Sequence, residues 1–318
     1  MHSDFDLHLL TPVFNDWESL QILISEIEKQ DNLQPFTIKM VIVNDGSTDE
    51  IGPYPKSNKI ALDILHLKSN VGHQRSIAIG LQYIVDTQKE IGRVIVLDSD
   101  GEDKPEDIYH LIQACNEANN SEIIFAKRDK RNESTIFKLS YFTYKLIFRA
   151  LTGFSMNYGN FSCIPEKLVK PLIFQADIWN HFAGSVFQSK IPYKSILLNR
   201  GKRYRGVSKM NLNGLILHGL SAISIYFDAF TIRILKGSFL GILIGLIFIL
   251  SVLYQKLVAG TAIPGWASSL ILIVSGIILQ LFSVTLIVLL LQLSKRKTLS
   301  PPDNHLYKAF IESIDSSN

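Results

Sequence analysis

No charged residue lies between Gly237 and Gln255, or between Leu257 and Ser294. The first run reads GSFLGILIGLIFILSVLYQ, and the core of the second, after Pro264, reads WASSLILIVSGIILQLFSVTLIVLLLQ. A helix needs about 20 mainly apolar residues to cross a hydrocarbon core of ~30 Å. Both runs are long enough, and apolar stretches of this length rarely fit inside a soluble domain. The sequence therefore predicts two transmembrane helices, at about residues 237–255 and 266–293, within a membrane segment of residues 235–297.

Charge at the ends of these runs sets an expected orientation. Arg233 and Lys236 precede the first span, Lys295, Arg296 and Lys297 follow the second, and the intervening loop carries only Lys256. The positive-inside rule places both flanks in the cytoplasm, with Tyr254 and Trp266 near the outer interface. Residues 211–234 are apolar but include His218, Asp228 and Arg233, a pattern expected of an amphipathic helix lying in the interface. A third, partial span is the alternative. Residues 298–318 read as a polar cytoplasmic tail. The N-terminus, MHSDFDLHLL, lacks a basic segment followed by a long apolar run and does not read as a signal peptide. The expected protein is an integral membrane protein with its first domain and both termini cytoplasmic, in the inner membrane if bacterial.

Residues 1–210 have a different grammar. Short Val- and Ile-rich runs at 8–14, 39–44, 62–67, 93–97 and 122–126 alternate with amphipathic segments. In DWESLQILISEIEKQ, Leu20, Leu23, Ile24 and Ile27 recur at helical spacing, and residues 73–85 and 105–118 repeat the pattern. Pro105 suits a first helical turn. This alternation predicts an α/β domain, a mostly parallel sheet flanked by helices. In such sheets ligands bind beyond the carboxyl ends of the strands. Those ends carry TPVFND, NDGSTD, NVGHQR and DSDGED, four polar or acidic clusters that suggest one shared site.

In VIVLDSDGED, Asp98 and Asp100 stand two apart, which places both side chains on one side of an extended segment. Converging carboxylates need a cation, and oxygen-only ligands favour Mg²⁺ or Mn²⁺, held beside a substrate diphosphate. Glu102 and Asp103 read equally well as site groups or as favourable charge before the next helix. RGKRYRGVSK, residues 200–209, brings Arg200, Lys202, Arg203, Arg205 and Lys209 together; attraction to anionic lipid is the alternative to a substrate role. Lys127, Arg128 and Arg131 follow the fifth strand, where they form either an acceptor-phosphate site or a solvated basic loop.

Other classes are disfavoured. There is no G-x-x-x-x-G-K-[ST] and no strand followed by G-x-G-x-x-G. A net charge of +3 is too small for a nucleic-acid binder. The two cysteines, Cys115 and Cys163, give neither a metal-ligand spacing nor a disulfide framework, and read as buried side chains in a reducing compartment.

Taken in order, these motifs resemble the GT-A, family 2 inverting glycosyltransferases, and within them the membrane-anchored polyprenyl-phosphate enzymes related to dolichol-phosphate mannose synthase. TPVFND is similar to P-x-Y-N-E, NDGSTD to D-D-G-S-x-D, NVGHQRSIAIGL to N-x-G-x-x-x-A-x-x-x-G, and DSDGED stands at D-x-D. GNFSCI resembles G-x-F-R-L, and RYRGVSKMN resembles R-x-x-G-x-S-K. The resemblance covers residues 7 to about 211 and implies a nucleotide-sugar-binding domain over residues 1–210. It implies that Pro12 and Asp45, with Asp16 or Arg75 nearby, line the nucleobase and ribose pocket. Asp98 and Asp100 would hold the metal and the donor diphosphate, and Arg203, Ser208 and Lys209 would close over phosphates. Arg205, with the lysine and arginines after the fifth strand, would meet the acceptor.

The implied reaction is metal-dependent transfer from a nucleotide-sugar, expected to be a UDP-sugar, to a polyprenyl phosphate. The alternatives are a glycan or other lipid acceptor, or a non-catalytic scaffold. A homo-oligomer is compatible with each. Two departures stand out: Asn44 replaces the first acid of D-D-G-S, and NYGNFSCI lacks the acid often found near G-x-F-R-L. A phosphate acceptor is already anionic and needs little base help, so the missing acid favours the lipid phosphate.

Overall fold

The computed structural model describes residues 5–49, 55–128, 146, 149, 153, 159–205, 226–260, 265–297, 303 and 305–317. The chain forms two compact units. Met1–Ser134, Met156–Ile225 and Pro302–Asn318 make the first, and Thr135–Ser155 and Tyr226–Pro301 the second.

The first unit is built on strands β1 (Leu7–Val13), β2 (Ile38–Asn44), β3 (Ala61–Leu67), β4 (Arg93–Val96), β5 (Ile123–Arg128), β6 (Ser162–Ile164), β7 (Tyr193–Leu198) and β8 (Ile311–Ser317). Helices α1 (Trp17–Glu28), α2 (His73–Thr87) and α3 (Pro105–Glu117) connect the early strands; α4 (Glu166–Ile173) and α5 (Phe182–Gln188) follow β6. Sheet order is β7-β5-β6-β4-β1-β2-β3-β8. β1 pairs in parallel with both β2 and β4, β2 with β3, and β5 with β7. β6 and β8 run antiparallel to their neighbours. The expected mostly parallel sheet flanked by helices is present, and all five expected strands fall within a few residues of their sequence positions.

Burial explains why those five were readable. Leu10, Val41, Val43 and Leu65 pack beneath α2, α4 and α5, whereas Leu7, Leu9, Met40, Ile42 and Ile95 pack beneath α1 and α3. Covering both sheet faces makes the central strands mainly apolar on both sides, the signature of a parallel sheet. Polar side chains are then displaced to the strand ends, where β1, β2 and β4 of the central sheet deliver their loops together.

The second unit contains two helices long and apolar enough to cross a membrane, α6 (Phe227–Leu257) and α7 (Trp266–Lys297). Their apolar windows are 11% and 0% buried, so neither is a core helix of a soluble domain. The Asp228 carboxylate accepts a hydrogen bond from the Gln292 amide at 2.7 Å, pinning the start of α6 to the end of α7.

Two expectations change. The interfacial helix placed at 211–234 is not separate over its described part, because residues 227–234 are the opening turns of α6. Nothing in that stretch breaks a helix. At 1.5 Å per residue α6 is about 46 Å long, so it exceeds a ~30 Å core and its polar start can lie beyond the hydrocarbon. Residues 211–225 lie outside the described part. The C-terminal tail is also no free appendage: β8 closes one edge of the sheet against β3.

Candidate functional site

The loop after β4 gathers the four carboxylates, and each has a distinct engagement. Asp103 is buried and accepts the backbone N–H of Asp98 at 2.9 Å, which fixes the strand's exit. Asp100 accepts the backbone N–H of Glu102 through one oxygen at 2.9 Å and pairs with the Arg203 guanidinium through the other at 2.7 Å. Glu102 pairs with Arg200 and lies 3.7 Å from Arg203. Asp98 stands 3.2 Å from Nε2 of His73 at the start of α2.

Backbone contacts align the arginines with this loop. The N–H groups of Gly201 and Tyr204 donate to the carbonyls of Glu102 and Asp100 at 2.9 and 2.8 Å. Residues 200–204 therefore cross the acidic loop as an irregular two-stranded contact, which delivers both guanidinium groups to carboxylates. Tyr204 lies over Gly101, and burial, with Glu26 and Asp100 nearby, pushes its phenol up to about 12.

His73 sits at the rim, where the carboxylates around it together outweigh desolvation of its ring. Burial disfavours the imidazolium, but the charge and hydrogen bond of Asp98, with Asp103 and Asp45 behind them, raise its pKa. The Asn160 amide nitrogen is 3.0 Å from the same ring nitrogen, and Asn160 accepts from Gln74 at 3.3 Å. The GNFSCI segment thereby joins the β4 loop through His73.

The loops after β1, β2 and β3 interlock beside this group. Asn15, in the left-handed conformation that Asn tolerates, accepts the N–H groups of Thr48 and Asp49 and donates its own N–H to the Ser47 hydroxyl. The buried Asp45 carboxylate accepts the N–H groups of Val71 and Gly72 at 2.7 and 3.0 Å. Burial raises its pKa despite those donors. Asp45→Ala is expected to cost roughly 1–3 kcal/mol, since two donors lose a buried acceptor. Thermal unfolding of the purified protein checks this; an unchanged Tm would mean that Asp45 does not hold the loops together.

The remaining expected residues disperse. Pro12 is buried in β1 opposite Val43. Asp16 is the N-cap residue of α1 but makes no side-chain capping bond. Arg75 is exposed in the first turn of α2, and Lys127 is exposed at the end of β5. Arg205 pairs with Glu18 of α1 at 2.8 Å. Arg131, Ser208 and Lys209 lie outside the described residues, and of Arg128 only the strand position is described. Among the described residues, no group of three His, Cys, Asp or Glu side chains is placed to hold a metal ion.

The family model for glycosyl transferase family 2 matches residues 9–168, half of the chain and most of the loops just described. The chain belongs to that family. It is a glycosyltransferase.

Two relatives of this glycosyltransferase match over most of its length, and a third over about half. It is 25% identical over 290 residues to an uncharacterized glycosyltransferase, YkcC, of Bacillus subtilis, covering 87% of this chain and 86% of that one. It is 25% identical over 285 residues to the bactoprenol glucosyl transferase of Shigella phage SfV, covering 83% and 86%. Over 162 residues it is 29% identical to the undecaprenyl-phosphate 4-deoxy-4-formamido-L-arabinose transferase of Pectobacterium carotovorum, covering 48% of this chain and 46% of that one.

The structure pairs Asp100 with Arg203 and brings His73, which the sequence does not single out, to 3.2 Å from Asp98. The signal was available: His73 opens the helix that follows NVG, at a strand end already marked as part of the site. Asn160, in the segment that lacks the family's usual acid, is a neighbour of His73 at 3.0 Å.

Proposed function

We propose that this glycosyltransferase moves a sugar from a nucleotide-sugar, expected to be a UDP-sugar, to a polyprenyl phosphate at the cytoplasmic face of a membrane, with inversion at the anomeric carbon. The observation that carries the reading is the pairing of Arg200 and Arg203 with Glu102 and Asp100 at the end of β4. It places cationic groups for phosphate beside carboxylates suited to a divalent ion. The names of the bactoprenol and undecaprenyl-phosphate relatives and the two apolar helices support the lipid acceptor.

Asp98 and Asp100 would hold Mg²⁺ or Mn²⁺. The donor set fits, because such ions are bound by one or two carboxylates and complete their coordination with water and substrate phosphate. When bound, the ion would supply Lewis-acid neutralisation of the leaving diphosphate. The Arg203 guanidinium can exchange Asp100 for a phosphate, to which arginine offers parallel hydrogen bonds. His73 stands 3.2 Å from Asp98, with which it forms an ion pair when protonated, and Asp45 fixes the loop that leads into His73.

The reaction balances without a protein base. An acceptor phosphate oxygen forms a bond to the anomeric carbon while the bond to the donor diphosphate breaks, the electron pair leaving with the nucleoside diphosphate. A phosphate monoester, with a second pKa near about 6, is already ionised near neutral pH. The amide of Asn160 beside His73 therefore need not act as a base.

Labelled UDP-sugars, Mg²⁺ or Mn²⁺ and undecaprenyl phosphate, mixed with the purified protein, should yield organic-extractable label. Donor binding with transfer only to a glycan, or with none, would overturn the lipid-phosphate reading. Arg203→Ala should raise the donor KM by about tenfold, the scale of one charge-assisted contact, with membrane insertion unchanged. Wild-type transfer kinetics would remove Arg203 from the phosphate site.

A further inference from the structure

The Asn44 departure from the D-D-G-S pattern has a partner at the opposite end of the chain. Asn44 closes β2 and lies in register with His66 of β3. Its Oδ1 accepts the Ser47 N–H at 3.0 Å, which leaves its NH₂ group facing Nδ1 of His66, also at 3.0 Å. An NH₂ group only donates, so Nδ1 must accept. The ring proton then resides on Nε2, which is 3.1 Å from the Asp315 carboxylate of β8. Every donor meets an acceptor along the series Asp315, His66, Asn44, Ser47. The Ser47 hydroxyl accepts the N–H of Asn15 at 2.9 Å, extending the series into the loop after β1.

We propose that Asp315 and His66 are positioning residues for the donor site, holding the β2 loop through Asn44. This rests on the donor reading given above. The chemistry explains why residue 44 is an amide. A carboxylate there could only accept, from Ser47 and from His66 alike, so Nδ1 would have to carry a proton, whereas the amide lets Nδ1 accept and leaves the ring proton on Nε2 for Asp315. β8 is the edge strand that follows the second apolar helix in sequence, so the loops at the strand ends are completed by residues from both sides of the helical pair. Asp315 is 49% exposed at its side chain and His66 14%, so the outer member can be altered without opening the core.

UDP binding in Mg²⁺ by calorimetry, steady-state kinetics and ¹⁵N NMR of the imidazole test the assignment on the full-length protein. Asp315→Ala should weaken UDP binding and raise the donor KM by about three- to tenfold, the scale of one lost hydrogen bond, with kcat within about twofold. Asp315→Asn keeps an acceptor for Nε2–H and should restore both values; behaviour like Asp315→Ala would overturn the hydrogen-bond relay. The wild-type His66 resonances should report the neutral Nε2–H tautomer, and an Nδ1–H tautomer or an imidazolium would overturn it independently of any ligand. If wild type and Asp315→Ala bind UDP equally, the relay fails while the donor reading stands. If the wild-type protein binds no UDP, the donor reading fails, and this assignment with it.

Discussion

Asp100→Asn is expected to lower kcat/KM for sugar transfer by roughly 100- to 1000-fold, the range seen when one preorganised electrostatic group is lost from an active site. The substitution separates the two duties of this side chain. Its Oδ1 accepts the Glu102 N–H, a neutral contact that an amide oxygen can keep. Its other oxygen pairs with Arg203 at 2.7 Å and belongs to the proposed metal site, and both of those depend on negative charge. The loop should therefore retain its shape while Arg203 loses its resting counter-ion and the divalent ion loses a ligand. Thermal unfolding should move little, and the dependence of rate on Mg²⁺ or Mn²⁺ concentration should shift to higher values. A variant with kcat/KM within about threefold of wild type would remove Asp100 from the chemistry and leave it a turn residue.

Legibility in the sequence followed burial. Leu7, Leu9, Leu10, Met40 to Val43 and Val94 to Leu97 are apolar because helices cover both faces of the sheet, and those runs made their strands visible. β8 carries the opposite signal. IESIDSS is a polar edge strand, mostly exposed, and nothing in its composition separates it from a tail. β6 is only three residues long and was hidden within a motif read for its chemistry. β7 is largely exposed and lacked a clear apolar run.

The site divides similarly. Asp98 and Asp100 were readable because like charges crowded at a strand end require compensation. Which cations compensate them depends on a segment a hundred residues later, and only folding pairs Arg200 with Glu102. Asp103 could not be assigned from spacing, since its contact is to the Asp98 main chain rather than to another side chain. His66, Asn44 and Asp315 were equally hidden, because their register depends on strand pairing across 249 residues of separation.

Gly201→Ala is expected to separate the arginine segment from the acidic loop and to reduce kcat/KM at least about tenfold, at a stability cost of about 1–3 kcal/mol. A Cβ on Gly201 would lie 2.2 Å from the Gly101 carbonyl oxygen, closer than real contacts allow, and that obstacle is backbone. Relief requires the two loops to part, which lengthens the contacts of Gly201 with Glu102 and of Tyr204 with Asp100 and withdraws both guanidinium groups. Gly101→Ala reaches the same junction from the other side. Gly101 has φ of +87°, and its added Cβ would meet the Tyr204 ring at 2.7 Å. The two variants should share one phenotype, a raised donor KM with a reduced kcat, because both disturb one crossing. The sheet beneath should persist, since its apolar layers lie on either side of β4 rather than in the loop beyond it. Far-ultraviolet circular dichroism would verify that, and steady-state transfer assays would measure the loss. Full activity in Gly201→Ala would mean that Arg200 and Arg203 reach the donor without the loop crossing, so that the four carboxylates and the arginine segment act as separate surfaces.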